Sequence, residues 1–286
     1  MVFRAVATLL ALTGAVSAWD APQYAGFNRV WQDNFSGAAG TLPDRNGQWT
    51  ILEGDLGVNN ELQFYTRESR TIQLSGGDTL QVVPWRDGSK PKGWVSGRAE
   101  SNYVFTPKDG AITRGEAALM FGDSPQGNKQ GIWPAFWSLG DSIRHGTGWP
   151  ACGEIDIMET VNGQLTGHGT LHCDVYPGGI CNEGTGIGSP VGIPNYGWHT
   201  WRVDIDRRNG DFRGQSITWY LDGQQFHQVT GDRIGNADVW RSIAQSPLFF
   251  ITNVAVGGSW PGNPDGATQD GYGVRLELGY VAHYET

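Results

Sequence analysis

The chain has 286 residues, 43 of them Gly and 13 Trp, and its formal net charge is −9. Because phosphate binding needs a basic face, this charge argues against nucleic acid as a partner. The length suits one large β domain, and no linker, low-complexity block or fixed-period repeat divides it.

The N-terminus has the layout of a secretory signal. The basic start MVFR precedes a short apolar run, AVATLLALTGAV, and small residues that end at Ala18. The run is too short to span a bilayer comfortably and no second such run follows, so we expect no association with a membrane. The sequence therefore predicts a signal peptide over residues 1–18, one domain over residues 19–286 and secretion; a buried terminal helix is the alternative.

The remaining chain is typical of short β-strands separated by turns. Runs such as DTLQVVPW, PLFFITNVAV and VRLELGYVAHYE are rich in alternating or β-branched residues and are bounded by Gly, Pro, Asn and Asp. Within SITWYLDGQQFHQV, the pair Asp222-Gly223 indicates a two-residue hairpin turn. Only NADVWRSIAQ has a faint helical pattern. These features predict an all-β sandwich or barrel and argue against a doubly wound fold.

Three cysteines indicate an oxidising compartment, with one disulfide and one thiol left over. The turn-rich segment DVYPGGI between Cys173 and Cys181 favours that pair, which leaves Cys152 free. A zinc site built from His168, His172 and the same two cysteines is the alternative, although its spacing matches no common finger.

Two further motifs resemble a modification site and a metal site. Asn34-Phe35-Ser36 is a sequon and predicts glycosylation at Asn34, unless a strand buries it. DIDRRNGDF superficially resembles a calcium loop through Asp204 and Asp206. Because Arg208 stands at the third acidic position, we interpret this segment as a strand end followed by a turn.

The stretch GEIDIMET places three carboxylates within six residues. On a strand, Glu154 and Asp156 point to one face, while Ile155 and Ile157 point into the core. Regular alternation would bury Glu159 beside the isoleucines, which is costly for an unpaired charge. A β-bulge between Ile157 and Glu159 would re-phase the strand and bring all three acids to one face.

Crowded acids differ in proton affinity, so one can stay ionised and attack carbon while another keeps and donates a proton. Retaining glycoside hydrolysis needs this division of labour. A solvated acidic face, a divalent-cation site and a buried structural network remain alternatives for the octapeptide alone. Nearby tryptophans, in WPAFW and in GGSWPG, favour a sugar cleft because a flat ring can stack on the apolar face of a sugar.

The chain resembles glycoside hydrolase family 16, and most closely its laminarinase-like branch, the endo-β-1,3(4)-glucanases. GEIDIMET, WPAFW, NNELQFYT, SGRAES, HGTLH, ITWYLDG, NVAVGGSWPG and GYVAHYE carry the resemblance, in order, from about Val30 to Tyr284. It implies a jelly-roll β-sandwich of two curved antiparallel sheets with a concave substrate cleft. It also implies Glu154 as nucleophile, Glu159 as general acid and base, and Asp156 as the residue that tunes them. The positions that match a sugar-binding cleft are Asn60, Arg98, Trp133, Trp137, His172 and Trp260.

The function that these observations predict is a secreted, monomeric, retaining endo-β-glucanase acting on β-1,3-glucan. Mixed β-1,3/1,4-glucan stays open as a substrate, and the chemistry requires neither a metal nor an organic cofactor. A cell-wall transglycosylase with the same carboxylates and a non-catalytic glucan-binding protein are the alternatives. The segment GDSIRHGTGWP and the loop HCDVYPGGIC depart from many relatives and would reshape the cleft.

Overall fold

The computed structural model describes residues 19–286, so the predicted signal segment 1–18 lies outside the described residues. Most of the described chain forms short strands joined by turns, as the sequence predicts. The strands are β1 (Asn28–Asp33), β2 (Trp49–Ile51), β3 (Gln63–Tyr65), β4 (Ile72–Leu74), β5 (Leu80–Val82), β6 (Trp85–Arg86), β7 (Trp94–Ser96), β8 (Arg98–Phe105), β9 (Ile112–Phe121), β10 (Ile132–Gly140), β11 (Glu154–Glu159), β12 (Thr166–His172), β13 (Ile187–Gly192), β14 (His199–Asp206), β15 (Ser216–Leu221), β16 (Gln224–Thr230), β17 (Leu248–Val256) and β18 (Leu276–Glu285).

Helices are short and lie between strands. The α-helices are α1 (Gly231–Ile234) and α2 (Ala237–Ala244). Single 3₁₀ turns occupy Pro43–Asn46, Gln126–Asn128, Asp141–His145, Phe212–Gly214 and Tyr272–Val274. None of the helices among residues 19–286 has the length and apolarity needed to cross a bilayer.

Two large antiparallel sheets form the sandwich. The eight-stranded sheet has the order β16-β15-β14-β9-β18-β5-β4, with β1 also paired to β18. The seven-stranded sheet has the order β13-β12-β11-β10-β17-β8-β2, and β3, β7 and β6 form a small third sheet. One continuous core takes side chains from both large sheets, including Leu119 of β9 and Ile155 of β11. The predicted all-β jelly-roll fold is therefore confirmed.

Local signals in the sequence correspond to local structure. Asp222 and Gly223, with φ of 48° and 78°, join β15 to β16 in the left-handed conformation that two-residue hairpin turns favour. The faintly helical segment forms α2, and Asn236 caps it by accepting hydrogen bonds from the backbone N–H groups of Asp238 and Val239. The expected turn and the expected helix are both confirmed.

The cysteine prediction is also confirmed. Cys173 and Cys181 form a disulfide, and Cys152 is a free, buried thiol. The zinc alternative is excluded, because the disulfide uses both thiols that it would need.

The other two motifs lie at the end of strands. Asp204 pairs with Arg114 through two hydrogen bonds of 2.8 and 2.9 Å, and Asp206 pairs with Arg208, so the calcium-like segment is a strand end and a turn. Asn34 follows β1, is half-buried and donates a hydrogen bond to Asp20. Its glycosylation stays a prediction.

The segment that begins at Trp19 covers the outer face of the eight-stranded sheet. Trp19 packs against Trp198 with ring centroids 4.1 Å apart, and both border a second cluster that contains Tyr280 and Tyr284. The other face of the sandwich, the outer face of the seven-stranded sheet, carries the candidate site.

Candidate active site

A β-bulge in β11 separates the first two acids from the third. In the ladder with β12, Asp156 pairs with Thr170 while Glu159 pairs with His168, so β11 contains one extra residue. The ladder with β10 is shifted at the same place, because Phe136 pairs with Met158 and Trp137 pairs with Asp156. The irregularity that the sequence predicts between Ile157 and Glu159 is confirmed.

The bulge turns apolar side chains inward and the acids outward. Ile155, Ile157 and Met158 are all fully buried in the core that both sheets share. Glu154 and Glu159, at the two ends of β11, remain partly exposed. Because two consecutive core residues replace strict alternation at the bulge, Glu159 avoids the apolar interior that a regular strand would impose on it.

Tryptophan from the opposite sheet secures the bulged strand. Trp219 of β15 is fully buried, and its Nε1–H donates a 2.7 Å hydrogen bond to the backbone carbonyl of Asp156. Gly169 on β12 makes room for this ring, since a Cβ there would lie 2.6 Å from Trp219. Side chains alternate between the two faces of β12. Because Gly169 faces the core, His168 and His172 lie on the outer face, next to the acids.

Trp133 links the aromatic side of the site to the third acid. Its Nε1–H donates a 2.9 Å hydrogen bond to Glu159 Oε1. The edge of its ring meets Trp260 at a centroid distance of 5.3 Å, and Trp260 also contacts His168 at 5.1 Å. Trp260 is 44% exposed, so its ring is available to a ligand beside the acid.

Asp156 faces an imidazole that is held from its other side. His172 Nε2 lies 3.3 Å from Asp156 Oδ2 in an ion pair, and Nδ1 donates a 2.7 Å hydrogen bond to Glu183 Oε2. Burial alone would lower the pKa of His172, but the two carboxylates outweigh it and raise the pKa to about 11. His172 is therefore a cation beside Asp156 across the neutral range.

The two glutamates are both poor acids in this setting. Burial, followed by the negative charge of Asp156, raises the pKa of Glu154 to about 8. The same two causes raise the pKa of Glu159 well above its usual value, although the Trp133 indole partly opposes the shift. The charges of His172 and Arg98 favour the ionised form of Glu154. Both carboxyls therefore favour the protonated form more than a free glutamate does, and the Trp133 indole and the neighbouring cations act against that shift.

Arg98 and Trp137 form a packed pair at the same site. The Arg98 guanidinium lies 4.9 Å from the centre of the Trp137 ring and makes a 2.7 Å ion pair with Glu100. The Trp137 indole donates to Asn253 Oδ1 at 2.8 Å, and Trp137 is the ladder partner of Asp156. Both positions that the sequence assigns to the cleft thus adjoin the acids.

Asn60 lies at the rim, next to the loop that bears Trp260. Its side-chain amide donates a 2.9 Å hydrogen bond to Ser259 Oγ, and Asn59 accepts from the Ser259 backbone N–H at 2.8 Å. Asn60 is exposed. The structure therefore brings together all nine residues that the sequence assigns to catalysis or binding, with the roles of the individual residues still predictions.

Sequence reasoning missed Glu183 and Asn253. Asn253 accepts from Trp137 and donates to Tyr65 at 3.1 Å, and it comes from β17, far along the chain. Glu183 follows the disulfide loop, two residues after Cys181. The paired cysteines were the available signal, since a closed loop directly after His172 must return near it.

Glu154, Asp156 and His172 offer ligand atoms within 4.8 Å of one another, a spacing that a divalent ion could bridge. Both nitrogens of His172 already face carboxylate oxygens, Asp156 at 3.3 Å and Glu183 at 2.7 Å, so an ion would have to displace one of these contacts. These residues therefore fit a metal poorly, and the absence of a metal from the reaction stays a prediction.

Comparison with known proteins agrees with this geometry. A family model described as an XgeA-like catalytic GH16 domain matches residues 118–182, which include β11 and β12. A β-glucanase of Rhodothermus marinus is 30% identical over 267 residues, 89% of this chain and 84% of the relative. A glucan endo-1,3-β-glucosidase of Cryptopygus antarcticus is 32% identical over 272 residues, 88% of this chain and 89% of the relative.

A solved structure extends the likeness to the fold. The endo-1,3-β-glucanase from Streptomyces sioyaensis superposes with a TM-score of 0.86 at 33% identity, over 93% of this chain and 99% of its own. Some relatives are longer proteins, and this chain spans 39% and 34% of the length of two of them. Similarity at this level, over nearly whole chains, means that the chain belongs to glycoside hydrolase family 16.

Proposed function

We propose that this protein is a secreted, retaining endo-β-1,3-glucanase that works by double displacement. The observation that carries the proposal is the bulge in β11, which sets Glu154 and Glu159 on either side of Asp156 on one face of the sheet. Relatives that are named as β-glucanase and endo-1,3-β-glucosidase support the substrate class.

Glu159 is the proton donor in this proposal, and Glu154 is the nucleophile. The pKa of Glu159 is raised well above its usual value by burial and by Asp156, which suits a group that must keep a proton to donate. The pKa of Glu154 is also raised, to about 8, and the cations His172 and Arg98 act against that shift by favouring the carboxylate that a nucleophile needs. Asp156, between the two, raises the pKa of both glutamates through its negative charge.

Glycosidic cleavage begins with Glu159 protonated and Glu154 ionised. Glu159 protonates the departing oxygen while Glu154 attacks the anomeric carbon from the opposite face, which gives a covalent glycosyl-enzyme. Glu159, now a carboxylate, takes a proton from water as the water attacks the same carbon. Two inversions retain the anomeric configuration. The exposed ring of Trp260 and the rings of Trp133 and Trp137 provide stacking surfaces for the sugar chain.

Azide rescue tests the two roles separately, with an aryl β-1,3-gluco-oligosaccharide that has a good leaving group. Glu154→Ala with azide should yield the α-glycosyl azide, because azide takes the place of the missing nucleophile. Glu159→Ala should still form the glycosyl-enzyme, and azide should then yield the β-glycosyl azide. Glu68→Gln, at an exposed ion pair with Arg70, is the control and should retain full activity. The reverse pattern of products would refute the assignment.

A panel of glucans tests the substrate. Release of reducing sugar from laminarin, with internal cleavage on size analysis, should exceed release from mixed β-1,3/1,4-glucan. Chains longer than the starting oligosaccharide, detected by mass spectrometry, would indicate a transglycosylase instead. Binding of laminarin without cleavage would indicate a glucan-binding protein.

Secretion, the domain boundary and the monomeric state are parts of the same proposal. The Cys173–Cys181 disulfide suits an oxidising compartment. Trp19, the first residue after the proposed cleavage point, already packs on the sandwich. N-terminal sequencing of secreted protein should begin at Trp19, and sedimentation analysis should give the mass of one chain. Activity should survive exhaustive dialysis against EDTA.

A further inference from the structure

Glu183 is a buried carboxylate for which the proposed reaction has no direct use. Its side chain has no exposed surface. Oε2 accepts from His172 Nδ1 at 2.7 Å, and Oε1 accepts from the Cys173 backbone N–H at 2.8 Å. A buried charge with these partners is costly to desolvate, and it persists only where its partners compensate for that cost.

The disulfide loop holds Glu183 in this position. Cys173 and Cys181 close a loop that starts directly after His172. Glu183, two residues beyond the loop, exchanges two backbone hydrogen bonds of 2.5 Å with Gly178 inside it. Glu183 is therefore tied to the loop through its backbone and through Cys173, while its carboxylate reaches into the site.

We infer that Glu183 is a positioning residue of the active site, and that the Cys173–Cys181 disulfide sets its place. Through His172, Glu183 fixes the orientation and charge of the imidazole that faces Asp156. This inference rests on the proposed hydrolase function, which it extends from the cleft strands to the loop.

Three carboxylates surround His172 and explain why Glu183 matters. Asp156 and Glu154 face the ring from β11 and Glu183 faces it from the loop, while Trp149 covers the ring at a centroid distance of 5.6 Å. With Glu183 in place, Nδ1–H is committed to the loop and Nε2 must point to Asp156. Without that partner, the ring could rotate and the charge of Asp156 would lose its nearest compensation.

The test combines a spectroscopic and a kinetic measurement on the intact protein. Nitrogen NMR of labelled wild-type protein should show both ring nitrogens of His172 protonated at pH 7.5, with titration near pH 11. In Glu183→Gln, the amide can still accept from Cys173 but donates towards Nδ1, which opposes a proton there. Loss of a charge-assisted hydrogen bond should lower the pKa of His172 by about 1 to 2 units.

Kinetics with laminarin should separate positioning from binding. We expect kcat of Glu183→Gln to fall about 10- to 100-fold, since a displacement of about 1 Å at the reacting centre can cost about 100-fold, with KM within about twofold of the wild-type value. Asp174→Asn is the matched control, because Asp174 accepts from the Ile180 backbone N–H at 2.8 Å inside the same loop. It should leave both kcat and the His172 signals unchanged.

Reduction of the disulfide tests the second half of the inference. In wild type, a phosphine reductant should lower kcat and shift the His172 signals in the direction that Glu183→Gln shifts them. In Glu183→Gln, reduction should cause no further loss, since perturbations that act through one contact are not additive. An equal loss in both proteins would refute the link between the disulfide and Glu183.

Two other results would overturn the positioning role. One is an unchanged His172 titration in Glu183→Gln, whatever its activity. The other is a neutral His172 at pH 7.5 in the wild-type protein, a measurement that needs no variant. Because both depend on spectroscopy, they stay separate from a failure of the proposed glucanase activity, which laminarin hydrolysis by the wild type would reveal.

Discussion

Trp133→Phe would remove a hydrogen bond that acts directly on the proton donor. The indole Nε1–H donates to Glu159 Oε1 at 2.9 Å and thereby favours the ionised carboxylate. A hydrogen bond to a charged group contributes about 1.5–3 kcal/mol, which corresponds to about 1 to 2 pKa units. Since Phe cannot donate, the pKa of Glu159 should rise by about that amount.

The pH dependence of kcat/KM on laminarin reports this change. Glycosidic cleavage needs Glu159 protonated, so the basic limb of the profile belongs to this group and should move to higher pH by about 1 to 2 units. Trp137→Phe is the matched control on the same strand, because its indole donates to Asn253 rather than to Glu159. Its basic limb should stay in place. A Trp133→Phe limb that is unmoved, or that moves to lower pH, would refute the proton-donor assignment.

Three further predictions concern stability and binding. The folded pKa of Glu154 is raised to about 8 by burial and by Asp156, so its ionisation destabilises the fold as pH rises from the range of a free glutamate through 8. Glu154→Gln should therefore raise the melting temperature in calorimetry at pH 9 and leave it unchanged at pH 4; an equal rise at both would contradict this. Trp260→Ala removes an exposed ring beside Trp133 and should raise KM for laminarin about fivefold with little change in kcat; an unchanged KM would exclude stacking there. Trp219→Phe leaves the buried carbonyl of Asp156 without its indole donor and should lower the free energy of unfolding by about 1–3 kcal/mol in a denaturant titration. Unaltered stability would mean that another donor replaces the indole.

The bulge in β11 shows what the alternation of side chains between the two faces of a strand can predict. Ile155 and Ile157 define the inner face, and a regular strand would then have buried Glu159 without a partner. This conflict could be resolved in only a few ways, so the irregularity was predictable from six residues, and both neighbouring ladders contain it. The Asp222-Gly223 turn was predictable for the same reason, since its backbone conformation depends on two adjacent residues.

The tryptophans show how little amino-acid composition alone says about a binding cleft. Five of the 13 tryptophans, Trp49, Trp94, Trp201, Trp219 and Trp240, are buried in the core, so the number of these residues does not by itself indicate a sugar cleft. The distinction between a packing ring and a cleft ring depends on which face of which sheet each strand presents. The family resemblance assigned Trp133 and Trp137 to the cleft, and the pairing of β10 with β11 shows how their strand comes to lie beside the acids.

The amino-acid sequence by itself determined the strand-rich fold, the set of acids and the cysteine pair, because alternation, turn chemistry and loop closure act between residues close along the chain. Only the tertiary structure showed that Glu183 supports His172, that Trp219 holds Asp156 from the opposite sheet, and that Asn253 orients Trp137. These contacts join segments that meet through sheet packing and loop return. No local pattern encodes the distance between them.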